Sequence, residues 1–205
     1  MIALVDYGMG NLGSVNKALR RVGCEVTVTQ DPGLLRDAAA IVLPGVGAFG
    51  DCMTNLTRLG LVGPLTEAIA AGKPFLGICL GLQVLFEESE EAPGVAGLGV
   101  FAGKVERFRH DLKVPHIGWN QIVPRGERAP HLDGIADGSY VYFVHSYYVA
   151  PTDESIVATT TDYGYEFTSC VWRGNLFASQ FHPEKSQSIG LRILENLRRE
   201  VERLT

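Results

Sequence analysis

The chain has 205 residues, 46% of them hydrophobic, and a formal net charge of −5. That length and apolar content suit one globular domain with a full core, and the acidic balance leaves no basic footprint for a nucleic acid. The four cysteines, at positions 24, 52, 79 and 170, are too scattered for a zinc site or a disulfide framework, and they fit a reducing cytoplasm.

The chain opens on a strand, residues 2–5, with no basic lead or cleavage-like site. Nothing downstream is long and apolar enough to span a bilayer. Gly8-Met9-Gly10-Asn11-Leu12-Gly13 is the exit loop of that strand. Ser14 can cap a helix whose Val15, Ala18, Leu19 and Val22 form an apolar stripe closed by Gly23. Residues 25–29 alternate as a second strand. A third, 39–43, runs into Pro44-Gly45-Val46-Gly47. Helices follow around Met53, Leu56 and Leu59, and around Leu65, Ala68 and Ile69. Residues 75–78 make a fourth buried strand, and from Leu80 the positions Leu82, Val84, Leu85 and Phe86 read as a helix. Strands alternating with helices at this spacing predict a mainly parallel sheet covered on both faces.

After Glu91 the texture changes. Pro93, Gly94, Gly97, Gly99 and Gly103 punctuate short segments, and β-like runs succeed one another at 104–108, 140–144, 156–160, 169–172 and 176–180. Strands without intervening helices predict a mixed or antiparallel, β-rich C-terminal half. Residues 125–137 read as a surface loop. A closing helix from about Ser188 carries Ile189, Ile193, Leu197, Val201 and Leu204 on one stripe. With no linker, repeat or low-complexity segment, one domain over residues 1–205 is expected.

Four loops can carry chemistry. Cys79 sits where the fourth strand turns into a helix, with Gly77 and Gly81 on either side. Such a turn holds a nucleophile proud of a sheet, and a helix start favours thiolate over thiol. Pro44-Gly45-Val46-Gly47 ends the third strand at the same sheet edge, where glycines let backbone N–H groups turn towards a ligand as an oxyanion hole requires. Gln180-Phe181-His182-Pro183-Glu184 offers a base and a carboxylate two residues apart. His110, His116, His131 and His145 compete for the base, His145 most strongly because it too ends an apolar strand, and spacing alone leaves the choice open. The fourth loop, Gly8 to Gly13, matches the dinucleotide fingerprint, with Asp31 beyond it, but the chain lacks the strands to complete a dinucleotide crevice.

Taken together, Gly77-Ile78-Cys79-Leu80-Gly81-Leu82-Gln83 and Gln180-Phe181-His182-Pro183-Glu184 resemble the motifs of class I, triad-type glutamine amidotransferases. Further stretches are similar to the branch that serves a separate (βα)8-barrel cyclase of histidine biosynthesis as one half of a heterodimer. These run from Asp6 to Leu12, from Leu43 to Asp51, from Pro115 to Asn120, from Tyr142 to Tyr147 and from His182 to Ser186. The resemblance implies an α/β, flavodoxin-like fold and hydrolysis of glutamine to glutamate and ammonia, with no cofactor or metal. It implies Cys79 as nucleophile, His182 as proton carrier and Glu184 as its orienter, which resolves the choice among histidines. Val46 and Leu80 would supply the oxyanion hole. Gly45, Gly47, Gln83, Glu91, Ser146 and Tyr147 would form the glutamine pocket, and Asn11, Trp119, Tyr142 and Lys185 the partner interface or its gate. The cyclase would make imidazole glycerol phosphate and aminoimidazole carboxamide ribonucleotide from the ammonia. Competing expectations are a glutaminase for another synthase, a stand-alone cysteine γ-glutamyl hydrolase, and a non-catalytic nucleotide-binding module on Gly8 to Gly13.

Overall fold

A computed structural model describes residues 1–204. The first half alternates: β1 (Ile2–Val5), α1 (Leu12–Arg21), β2 (Val26–Thr29), α2 (Pro32–Asp37), β3 (Ala40–Leu43), α3 (Phe49–Arg58), α4 (Val62–Ala70), β4 (Phe75–Ile78) and α5 (Leu80–Gln83). Then come β5 (Phe86–Ser89), β6 (Phe101–Arg107), β7 (His116–Pro124), β8 (Ser139–His145), β9 (Tyr147–Pro151), β10 (Val157–Asp162), β11 (Glu166–Arg173) and β12 (Leu176–Ser179), and finally α6 (Gln187–Leu204).

Five strands run parallel in the order β2-β1-β3-β4-β12, the flavodoxin-type order with β12 in fifth place. Antiparallel strands β11, β10, β7 and β8 extend the sheet beyond β12. Strands β5, β6 and β9 form a flap joined to β11. Every residue of β1, β3, β4 and β12 is buried, because both faces are covered. Alternate side chains therefore feed two cores. Ile2, Leu4, Val42 and Leu76 meet Val15 and Leu19 of α1 and Ile193 and Leu197 of α6. Ala3, Val5, Ile41 and Phe75 meet Phe49 and Leu56 of α3 and Leu65 of α4. No helix among the described residues is long and apolar enough to cross a membrane.

The structure departs from the sequence reading in several places. Ser14 lies inside the first turn of α1 and is not its cap, because the helix starts at Leu12 behind Asn11, and α2 is a helix the sequence reading did not expect. The helix after Cys79 stops at Gln83, and Phe86 begins a strand. Its continuation is blocked because the carbonyls of Val84 and Leu85 accept from Leu98, Val100 and Phe101 N–H groups instead of from a next helical turn. The segment 125–137 is no mere surface loop. Ala129, His131, Leu132 and Ile135 are buried beneath α6, and Asn196 Nδ2 donates to the carbonyls of His131 and Asp133. Strands β7 and β9 were not among the expected runs. Leu204 leaves the helix stripe and is 44% exposed, so the packed face ends at Val201.

Candidate active site

The site is built at the carboxyl ends of β3, β4 and β12, where open α/β sheets bind ligands. Cys79 occupies the turn between β4 and α5 at φ 53°, a left-handed conformation unusual for a residue with a side chain. Its N–H donates to Ser179 O at 2.7 Å, which ties the turn to the end of β12. The flanking glycines are dictated by close approach. A Cβ on Gly81 would collide with the Leu43 carbonyl oxygen, and one on Gly77 would stand 2.7 Å from Gly81 O.

His182 lies three residues beyond β12. Its N–H donates to Tyr142 O at 3.0 Å, and Ser186 Oγ donates to its carbonyl at 2.7 Å. The imidazole Nδ1 is 2.9 Å from Glu184 Oε1, with both side chains almost wholly buried. A carboxylate at Nδ1 fixes the proton there and leaves Nε2 free to accept one. Nε2 is buried without a well-aligned hydrogen bond, yet it lies within electrostatic reach of the Cys79 sulfur. Burial opposes the imidazolium, but the charge and hydrogen bonding of Cys79, aided by Glu184, outweigh it and raise His182 to about 10. Long catalytic contacts of this kind are usual before substrate binds.

The loop after β3 is anchored from behind. Tyr7, fully buried, donates its hydroxyl to Pro44 O at 2.9 Å. A Cβ on Gly45 would come within 2.6 Å of Leu80 Cβ and 2.8 Å of the Tyr7 hydroxyl, so this glycine is required by packing. Val46 N–H has no hydrogen-bond partner among the described residues, and Leu80 N–H, the first of α5, has none within its helix.

Beside Cys79 is a cavity of about 400 Å³ lined by Val46, Gly47, Leu80, Gln83, Glu91, Pro115, Val144, His145, Ser146, Tyr147 and Lys185. It thus gathers all the predicted pocket residues except Gly45, which packs behind the loop. Glu91 Oε2 accepts from Phe49 N–H at 2.8 Å, capping α3 where Ala48 offers no side-chain cap. Another cavity, of about 410 Å³ and lined in part by Arg125, Tyr148 and Glu166, has neither a cysteine nor a histidine in its lining.

The other histidines are engaged elsewhere. His145 Nδ1 bonds Tyr147 O and its Nε2 meets His116, while His131 stacks on Phe177 at 4.6 Å. His110 packs against Phe108 in an aromatic cluster. Among the described residues only His182 has a carboxylate at its ring. Trp119 and Tyr142 face each other across β7 and β8 with rings 6.1 Å apart, and Lys185 Nζ is 5.8 Å from the Tyr142 ring centre. Asn11 caps α1, accepting from Ser14 N–H at 3.3 Å.

The glycine fingerprint has local explanations. Gly8 and Gly10 adopt positive φ in a turn, whereas Gly13 is helical with open space where its Cβ would be. Asp31 accepts from Gly33 N–H at 2.7 Å and caps α2 rather than facing the loop. No group of three or more His, Cys, Asp or Glu among the described residues is arranged to hold a metal, and all four cysteines are free. The sequence reading passed over two residues. Tyr7 is legible only as an aromatic after a strand. Gln180 opens the His182 motif, and an amide side chain closing an otherwise apolar strand was a usable signal.

Comparisons with known proteins agree with this geometry. The family model for class I glutamine amidotransferases matches residues 3–200. The chain is 55% identical over 203 residues to the imidazole glycerol phosphate synthase subunit HisH of Syntrophotalea carbinolica, covering 96% of this chain and 98% of that one. It is 54% identical to the HisH subunit of Aquifex aeolicus, covering 98% of each. Among solved structures it is similar to a glutamine amidotransferase, with a TM-score of 0.75 and 21% identity over 96% of this chain and 99% of that one. It is also similar to PurLQS from Thermotoga maritima, with a TM-score of 0.74 and 19% identity over 99% and 97%.

Proposed function

The chain belongs to the class I glutamine amidotransferase family, and from that premise we propose that Cys79, His182 and Glu184 carry the reaction of a glutaminase subunit of imidazole glycerol phosphate synthase. Identity of 55% at nearly full coverage to HisH subunits supports that assignment. The observation that carries the chemistry is the pairing of His182 Nδ1 with Glu184 at 2.9 Å, beside a cysteine in a positive-φ turn.

With the thiol proton already resting on His182, as its raised value requires, the Cys79 thiolate attacks the glutamine carboxamide carbon. The oxyanion of the tetrahedral intermediate is held by Leu80 N–H and Val46 N–H. The C–N bond then breaks, His182 returns the proton to the leaving nitrogen, and ammonia departs. Water, deprotonated by the same Nε2, cleaves the thioester and releases glutamate. Gly47, Gln83, Glu91, Ser146 and Tyr147 bind the glutamine, with Gly45 setting the loop behind them. Ammonia passes to a (βα)8-barrel cyclase that docks over Asn11, Trp119, Tyr142 and Lys185. Control of glutamine hydrolysis by that partner acts on the loop at Pro44 to Gly47, whose Val46 N–H lacks a partner of its own. The whole chain serves as one amidotransferase domain.

The test is reconstitution with the cyclase. Cys79→Ala should remove glutamine-dependent synthesis while leaving synthesis from added ammonia intact. Glutamine turnover persisting at the wild-type rate in that variant refutes the cysteine mechanism. Full-rate glutamine hydrolysis by the lone chain would instead favour a stand-alone hydrolase.

A further inference from the structure

One side chain touches the nucleophile without belonging to the triad. The parallel register of β4 and β12 pairs Ile78 with Ser179, so the next pair is Cys79 and Gln180. Gln180 is fully buried, and its Nε2 lies 3.5 Å from Cys79 Sγ. Which end of that amide faces the sulfur is settled by a chain of hydrogen bonds whose direction is fixed by one carbonyl.

That carbonyl is Tyr147 O, which can only accept. His145 Nδ1 lies 2.9 Å from it and Gln83 Nε2 lies 3.0 Å from it, so both must donate and both lone pairs are taken. The same Gln83 nitrogen has a second hydrogen, 3.2 Å from Gln180 Oε1. Gln180 therefore accepts with its oxygen and must present its NH2 to the sulfur. On the other side, burial lowers His145 to about 3 and His116 to about 4, so both are neutral near pH 7. With Nδ1 protonated, His145 Nε2 accepts from His116 Nδ1 at 3.0 Å, and His116 Nε2 accepts from Asn120 Nδ2 at 3.3 Å. Asn120 is held in turn by its bond to Asp162 O at 2.8 Å. No member of this chain can reverse without placing two donors or two acceptors face to face.

We propose that Gln180 is a further catalytic residue: its amide N–H, aimed by the chain from Asn120 to Gln83, donates to the Cys79 sulfur and holds the attacking thiolate. The proposal rests on the glutaminase reading above. A donor to a charged acceptor stabilises the charged form, and Gln180 supplies it without lining the cavity. The titratable groups around the sulfur are His182, backed by Glu184, and Tyr7, with Glu91 and Lys185 on the cavity wall.

The test is alkylation of the full-length chain by iodoacetamide as a function of pH, with the modified cysteine identified by peptide mass spectrometry. In Gln180→Met the midpoint for Cys79 alkylation should rise by about one to two pH units, the shift set by a lost hydrogen bond to a charged group. In the complex with the cyclase, kcat for glutamine should fall about tenfold to a hundredfold with KM little changed. Should the methionine variant fail to fold, as judged by thermal unfolding, Gln180→Glu decides. It keeps the shape and an acceptor for Gln83 but replaces the donor by a carboxylate, and the midpoint should rise further. A folded variant with the wild-type midpoint overturns the proposal. Because alkylation needs neither glutamine nor partner, that result is distinct from failure of the glutaminase reading, which would show as turnover surviving Cys79→Ala.

Discussion

His182 has two ring nitrogens with two tasks, and the side chain at each sets a measurable pH limit. Glu184 holds Nδ1, and the pairing with Cys79 raises the imidazole from its usual 6.5 to about 10. A raised value means that the proton is retained through neutral pH and lost only as pH climbs towards 10. The alkaline limb of glutaminase activity in the cyclase complex should therefore fall near pH 10. Glu184→Gln removes a group that favours the imidazolium, so the limb should move to lower pH, with a loss in kcat of at least about 10² as the tautomer becomes uncertain. Unchanged pH–rate profiles in wild type and variant would refute the assignment of Glu184. His110 and His131 pack against Phe108 and Phe177, outside the chain that leads to the sulfur, and their replacement should leave this limb in place.

At the scale of elements, the glycines separate into those demanded by packing and those that are not. Gly81 has the Leu43 carbonyl where a Cβ would go, whereas Gly13, in the first turn of α1, faces open space at an ordinary helical φ. Gly81→Ala should lower the melting temperature and abolish glutamine turnover, because α5 cannot stay packed on β3. Gly13→Ala should instead stabilise by up to about 1 kcal/mol, the usual gain within a helix. Thermal unfolding of both variants checks the pair, and a destabilised Gly13→Ala would show that its glycine has a role beyond the turn. The parallel strands were legible as short apolar runs near glycine or proline, except β2, which showed as an alternation of valine and threonine. The elbow was legible because Gly77, Cys79 and Gly81 keep fixed offsets. What stayed hidden depended on distant partners. Phe86 became a strand because Phe101 pairs with it, and residues 129–135 were drawn under α6 by Asn196. The outward positions Ile117, Trp119 and Val123 gave β7 an apolar solvent face that hid its alternation. Glu91, expected in the pocket from the resemblance alone, is tied there by capping α3 across 42 positions of sequence.

The whole molecule carries an acid sensitivity. His116, His131 and His145 are held neutral by burial at about 4, about 4 and about 3. Between pH 6.5 and 4 the unfolded chain binds protons that the folded one refuses, so stability falls as pH falls, by about 1.4 kcal/mol per unit for each fully coupled group. His182 acts in the opposite sense and only above 6.5. Urea unfolding midpoints should drop steadily between pH 6.5 and 4.5. His131→Phe, which keeps the stack on Phe177, should reduce the linked proton count by about one, and an unaltered pH slope would contradict this. The place of β12 has a consequence for synthesis on the ribosome. Each of its residues is made 101 positions after its partner, since Leu176 pairs with Phe75 down to Ser179 with Ile78, and Gln180, His182 and Glu184 follow it. Until those residues emerge, β4 is an unpaired edge and the thiol has neither base nor donor. The nascent chain is thus born inert: a stalled or truncated product exposes a sticky strand for quality control to find, but it releases no ammonia.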